Sequence, residues 1–346
     1  MIRHELTGQA AMEGSPEPET LRGERSRDVG QAPVLPGEGI ALLSKPEGMT
    51  SFQALSPLKR SLRTGKLGHT GTLDKFASGL LVVLVGGLTR LGPWFTSLDK
   101  VYEAKIRFGE ETDTLDPEGL VVGRAEPPHI ESLSRALVAF RGPLMQSPPA
   151  YSAIHIDGER ASDRARRGEL PDMKARPVTI HKLELLGYDG RTADIRLRCS
   201  SGTYVRSLAR DLALAVGSRA HLTGLRRLAV GPFLLEAARP ALDFGGAESL
   251  MPLEPDLAAS LGLMPMSLEE GCLGAFENGR PIRAEDLRPL ARNSPEGWAV
   301  GGHEGGAEGP SLAIFSTRGR FLGMMEEEGG RLRYRFVLPR ARGEGA

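Results

Sequence analysis

From residue 101 to 108 the chain alternates, with Tyr102, Ala104, Ile106 and Phe108 set against Val101, Glu103, Lys105 and Arg107. A period of two is that of a strand with one face on a core and the other toward water. Residues 179–186 and 193–199 carry a similar pattern and predict two more strands. Helical spacing falls between them, where Ile130, Leu133, Leu137 and Val138 recur at intervals that share one helix face over 130–140. A second helix is predicted over 204–216, after Ser201, Gly202 and Thr203. A first strand over 39–43 ends in the turn chemistry of Pro46, Glu47 and Gly48, and a helix follows, opened by Thr50 or Ser51. The run 79–85 is apolar throughout and reads as a buried core segment, since it is far shorter than the roughly 20 residues a membrane helix needs and Gly86 and Gly87 interrupt it. Strands and helices intermix without a regular βαβ alternation. This favours an α+β fold around a mixed, largely antiparallel sheet.

The ends of the chain read differently. Residues 1–37 hold Gly, Pro, Glu and Arg with too little apolar surface to offset the entropy of ordering them, which predicts a disordered tail. A Pro- and acid-rich stretch at 251–255 separates the body, 38–250, from a C-terminal segment, 251–341. There the short strands 312–315 and 333–338, with turns at 318–319 and 329–330, fit a small β-barrel-like domain.

Composition narrows the classes only slightly. With 346 residues, 40% of them hydrophobic, the chain can bury a full core, and 44 Lys and Arg balance 44 Asp and Glu. Any nucleic-acid surface must therefore come from segregated charge. Cys199 and Cys272 lie far apart without CxxC or Cys/His spacing, so neither a disulfide framework nor a zinc site is expected. The N-terminus has no apolar leader stretch, which predicts a cytoplasmic protein, and no membrane association is expected.

The densest cluster of unusual residues is Gly68, His69, Thr70, Gly71, Thr72, Leu73 and Asp74, followed by Ala77, Ser78 and Gly79. Small residues let such a loop approach a ligand backbone closely, while the apolar run behind it holds Asp74 in place. The loop also reads as an Asx turn capping that run. Taken alone, these residues do not separate the two.

Gly68 to Asp74, together with Lys45, Pro46, Gly48, Thr50 and Ser51, resembles the two N-terminal signatures of the TruB-type tRNA pseudouridine(55) synthases. Asp99, Lys100, Val101 and Tyr102 look like the family's tyrosine strand, and Gln146, Pro148, Pro149, Tyr151, Ser152 and Ala153 like its next block. Ser201 to Arg206, then Ala220, His221, Leu222 and Leu225 to Leu228, resemble its last two. Leu273, Asn278, Gly279, Pro281 and Ile282 are similar to the PUA RNA-binding module that often ends such proteins. One departure stands out: the family usually has Pro after the catalytic Asp, and here Lys75 and then Phe76 follow.

The resemblance implies an isomerase that turns a uridine, U55 in the T-loop of tRNA, into pseudouridine after flipping it out of the RNA, with no metal and no organic cofactor. Asp74 is implied as the catalytic carboxylate and Arg206 as its partner. A nearby guanidinium typically lowers an Asp pKa by ~1–3 units, so Asp74 is expected to be anionic throughout the physiological range. Tyr102 is implied to stack on the target base and Leu225 to line the same pocket; His69 would take the flipped base's place in the RNA. Tyr204 is a further implied substrate contact, and Lys45 is read as a substrate-side or loop-orienting residue. Arg160, Arg164, Arg166, Arg167, Lys174, Arg176 and Lys182 form a basic cluster where the family grips RNA. The partner implied is the tRNA T-arm, with a monomeric enzyme that needs no protein partner. Two other readings, a lapsed RNA-binding protein and a guide-RNA-dependent synthase, are set against the presence of Asp74, Tyr102 and Arg206 and a tail-like N-terminus.

Overall fold

The computed structural model describes residues 38–169, 171–290 and 310–339. The expected tail at 1–37 lies outside the described residues, as do 291–309 and 340–341 of the expected C-terminal segment.

The chain begins with β1 (Gly39–Lys45), α1 (Ser51–Leu62), β2 (Leu67–His69) and β3 (Ser78–Val85), then the short α2 (Gly92–Ser97). Next come β4 (Lys100–Phe108), the small hairpin β5 (Glu110–Thr112) and β6 (Val121–Arg124), α3 (Ile130–Ala139) and β7 (Gly142–Gln146). A ribbon of β8 (His155–Ile156) and β9 (Glu159–Arg160) leads into α4 (Ala161–Arg166). The long hairpin β10 (Arg176–Tyr188) and β11 (Thr192–Cys199), then α5 (Val205–Ala215), β12 (Ala220–Val230), β13 (Phe233–Leu234) and β14 (Arg239–Pro240), complete a ten-stranded sheet. Its order is β14-β1-β3-β12-β4-β11-β10-β7, with β2 added on β3 and β13 on β12. Only β1 with β14 and β3 with β12 run parallel, which agrees with a mixed, largely antiparallel sheet.

The sequence patterns follow from what covers each part of this sheet. β4 sends Tyr102, Ala104, Ile106 and Phe108 into a core shared with Leu208 and Leu212 of α5 and Leu133 of α3. Its opposite face meets water, where Glu103 pairs with Arg196 and Lys105 with Asp194. β3 shows no alternation because both of its faces are covered. Leu80, Val82 and Leu84 join a core with Phe95 of α2, whereas Leu81, Val83 and Val85 pack on Ala54, Leu55 and Leu58 of α1. Such a strand reads as one continuous apolar run.

β10 extends beyond the expected 179–186 because β7 pairs with its first residues, from Arg176 opposite Gln146 to Ile180 opposite Gly142. Irregularities between Ile180 and Lys182 and between Leu185 and Gly187 shift which side chains face the core and blur the period. α5 starts at Val205; Tyr204 is its N-cap, with extended backbone and its N–H donated to Gln146 Oε1 at 2.8 Å.

In the C-terminal part α6 (Pro255–Ser260) and α7 (Leu273–Glu277) accompany a second, five-stranded sheet. Its strands β15 (Met264–Leu268), β16 (Leu287–Pro289), β17 (Ser311–Phe315), β18 (Phe321–Glu328) and β19 (Arg331–Val337) lie in the order β16-β15-β17-β18-β19. Ala313, Phe315, Phe321 and Met324 pack into the core beneath β3, tying this sheet to the first. No helix among the described residues is long and apolar enough to cross a membrane.

Candidate active site

The loop after β2 is held by groups on both of its flanks. Thr50 caps α1 in a reciprocal box with Gln53, and the next hydroxyl, Ser51 Oγ, accepts from Leu73 N at 2.8 Å and donates to Leu73 O at 3.0 Å. Both backbone groups of the residue before Asp74 are thereby fixed to the start of a helix. On the other flank Arg227, 2% exposed, donates Nη2 to Gly71 O at 3.0 Å and Nε to Leu80 O at 2.7 Å. β3 and β12 can pair closely here because residue 79 is glycine: its φ is +108°, and a Cβ would stand 2.3 Å from Arg227 O. Lys45 lies behind the loop, 1% exposed, with Nζ on Pro46 O at 2.9 Å and Met49 O at 2.6 Å. It orients the turn before α1, and burial lowers its pKa to about 8.

Asp74 does not cap the apolar run with its side chain. Arg206, in the first turn of α5 and 4% exposed, donates Nη2 to Asp74 Oδ1 at 3.0 Å, and its Nε lies 2.9 Å from Oδ2. The same guanidinium donates to Tyr151 O at 3.0 Å and Thr114 O at 2.9 Å, and Nη1 stands 3.5 Å from Asp116 Oδ2. Asp116 is itself buried and accepts from Thr114 Oγ1 at 2.6 Å and Glu118 N at 3.0 Å. Leu115 between them has φ +61°, a left-handed backbone that turns Thr114 O and the Asp116 carboxylate toward Arg206. One cation thus serves two carboxylates.

These residues line a cavity of about 750 Å³. Its walls include His69, Asp74, Lys100, Tyr102, Tyr204, Arg206, Leu225 and Arg227, with Phe52, Arg160 and Arg166 at further positions. Of the catalytic and substrate-contact residues expected from sequence, Lys45 alone is absent from these walls, its Nζ turned to the backbone of the turn before α1. Tyr102 is 8% exposed, and burial raises its phenol pKa above the ordinary value, so it stays a neutral donor. Tyr204 is raised for the same reason. His69 is pushed below its usual pKa, first by burial and then by the Arg227 charge. Lys100, held on Thr96 O and Leu98 O at 2.6 Å each, is lowered to about 8 by burial.

The expectation of a depressed Asp74 pKa is corrected by the structure. The carboxyl is raised above its ordinary value: burial in the cleft is the largest cause, Arg206 pulls against it, and Asp116 adds to the rise. Sequence reasoning counted the cation but neither the cleft nor the second carboxylate. Several members of the expected basic cluster are ion-paired. Arg164 and Arg167 pair with Glu159, Arg166 with Asp163 and Lys182 with Glu184.

Gln146 and Arg227 lie in the family-like motifs without an expected role and Ser51 only as a candidate opener of α1, and burial gives each one. Asp116 carried no signal beyond its place in the turn Asp113-Thr114-Leu115-Asp116.

A carboxylate at the floor of a cleft, fixed by a buried arginine beside a buried tyrosine, is equipped for nucleophilic or base chemistry on a flat, uncharged ring. A family model described as TruB family pseudouridylate synthase (N terminal domain) matches residues 59–205. A protein of Aromatoleum aromaticum named tRNA pseudouridine synthase B is 44% identical over 71% of this chain and 82% of its own length. Proteins of the same name from Corynebacterium efficiens, 39% identical over 86% of this chain and 95% of its own length, and Borreliella burgdorferi, 47% identical over 57% and 71%, are similarly related. Among solved structures, a Cbf5-Nop10-Gar1 complex holds a chain of the same fold, at TM-score 0.64 and 21% identity over 92% of this chain and 93% of that one. With relatives matched over most of their own lengths, the chain belongs to the TruB family of pseudouridylate synthases.

Proposed function

We propose that this enzyme converts uridine to pseudouridine in tRNA, at U55 of the T-loop, with Asp74 as the catalytic carboxylate. The observation that carries the reading is the Asp74–Arg206 pair on the floor of a cavity walled by Tyr102 and Leu225. A stacked uridine must leave the RNA to reach that floor, at an unstacking cost of a few kcal/mol. His69, on the loop beside Asp74 and with its pKa held below the usual value, takes the vacated place in the RNA as a neutral ring. The uracil then lies against Tyr102, opposite Leu225. Asp74 acts in its ionised form, as nucleophile or as base, while Arg206 fixes the orientation of the carboxylate. The N1–C1′ bond breaks, the base turns, C5 joins C1′, C5 loses its proton and N1 carries one. The product is an isomer of the substrate, so no electrons are gained or lost and no water is consumed.

Within this reading Lys45 orients the loop, Tyr204 closes the cavity from the cap of α5, residues 38–250 form the catalytic domain and 251–341 a PUA-like RNA-binding domain. The enzyme works as a cytoplasmic monomer without a protein partner. Mapping pseudouridine in tRNA from cells with and without the gene tests activity and position together. Loss of the modification at U55 alone, restored by the wild-type gene and not by Asp74→Asn, is the expected result; an unchanged map would refute the proposal.

A further inference from the structure

Phe52 is the second residue of α1 and is 68% exposed, the most open aromatic side chain among the described residues. It lines the same cavity as Asp74. Its backbone is not free to drift. It follows Ser51, whose hydroxyl is bonded to both backbone groups of Leu73, and precedes Gln53, the partner of Thr50 in the capping box. The helix is anchored in turn by Ala54, Leu55 and Leu58 in the core. The Phe52 backbone therefore keeps a fixed offset from the loop that carries Asp74.

One face of the ring is taken by Lys59, whose Nζ stands 4.6 Å from the centroid. The rest of the ring opens to solvent. Cations complete the surroundings: Arg160 and Arg166 line the same cavity, and no carboxylate lies within ion-pair distance of Arg160 among the described residues. A rigid apolar ring beside cations at the rim of a catalytic cavity suits a nucleobase with its phosphate.

We propose that Phe52 is a stacking platform for an unpaired base of the substrate RNA next to the flipped uridine, with Lys59 behind the ring and Arg160 taking up phosphate charge. The inference rests on the proposed function, since it presumes an RNA in the cavity. Stacking is sequence-tolerant because every base has a π face, so Phe52 fixes where the strand lies and leaves the choice of base to other contacts.

The test uses the full chain and a tRNA substrate, with pseudouridine formation by the wild type measured first. Phe52→Ala, Phe52→Leu and Phe52→Trp are compared for tRNA Kd over a range of salt concentrations and for KM against kcat. Phe52→Ala is expected to weaken binding roughly 5- to 150-fold, the range that one base–aromatic stack of about 1–3 kcal/mol implies. The loss falls on Kd and KM, and the salt dependence keeps its slope because no phosphate contact is removed. Phe52→Trp restores affinity and shows quenched indole emission on RNA addition; Phe52→Leu, apolar without a π face, stays weak. If Phe52→Ala binds as tightly as wild type, or Phe52→Leu does, the platform is refuted while the proposed function stands. If the wild type forms no pseudouridine in tRNA, both fall.

Discussion

Arg206→Met is the change that most directly probes the Asp74–Arg206 pair. Arg206 is 4% exposed and its guanidinium holds Asp74, Asp116, Thr114 O and Tyr151 O together. Methionine keeps much of the apolar stem and removes the charge with all the donors. Breaking a buried ion pair by deleting one partner costs about 3–5 kcal/mol, an upper bound here because solvent screens the Asp74 carboxylate left behind, whose side chain is 35% exposed. Expressed wholly in the transition state, that loss lowers turnover roughly 10²- to 10⁴-fold. Part of it falls on stability, since two backbone carbonyls lose their donors as well, so thermal unfolding is followed alongside.

The pH profile carries a sign of its own. Burial and Asp116 push the Asp74 pKa up, and Arg206 is the main group pulling it down. Without the arginine the pKa rises further, the ionised fraction at neutral pH falls, and activity partly returns as pH is raised. Arg206→Lys keeps the charge without the planar fork and falls between wild type and Met. Single-turnover rates and tRNA Kd values for both variants decide the matter. A variant that binds tRNA weakly, with a flattened salt dependence and an intact single-turnover rate, would make Arg206 a phosphate contact and overturn the pairing argument.

Asp74→Asn should abolish turnover with tRNA affinity retained, and wild-type activity should fall on acidification at a pH above that of an ordinary carboxylate, because the raised pKa of Asp74 leaves it protonated sooner; an acid limb in the ordinary carboxylate range contradicts this. Ser51→Ala removes both hydrogen bonds to Leu73, so stability should drop by about 1–3 kcal/mol and kcat fall with little change in KM, both measured on the purified variant. Gly79→Ala forces φ +108° on a residue with a Cβ and overlaps Arg227 O, a loss of about 2–6 kcal/mol from strain and overlap together; a wild-type urea midpoint would rule out the close β3–β12 approach. Lys75→Ala breaks only an exposed pair with Glu118 at 3.1 Å, so the melting temperature should barely move, in keeping with about 0–1 kcal/mol for such pairs.

The parts of the fold that could be read from the chain are those where one rule acts alone. β4 has one covered face and one wet face, so its alternation names both the strand and its inward residues, Tyr102 among them. β3 could be read as buried but not as a strand, because two cores erase its period. β10 was cut short at both ends because its edges are defined by β7 and by bulges, neither of which leaves a local trace. Thr50 and Ser51 both belong to the start of α1, yet they differ in kind: one caps the helix and the other ties the helix to Leu73. Only the fold separates them.

Two arginines, Arg206 and Arg227, show why the site was harder to read than its residues. Both stood in recognised motifs, and both are almost fully buried. Arg206 is matched by carboxylates, so its charge acts locally on Asp74 and Asp116. Arg227 is bonded to the carbonyls of Gly71 and Leu80, and no carboxylate pairs with it among the described residues. Its charge is therefore spread over the cavity, where it acts to lower the pKa values of His69, Lys45 and Lys100. Under the proposed function, a neutral His69 would enter an RNA stack without bringing a buried charge that would need a phosphate partner. Under that function the same field would favour negative charge on a uracil detached at N1. Sequence spacing gives the distance between two arginines along the chain; whether a carboxylate meets each one depends on where the loops at 71 and 116 come to rest.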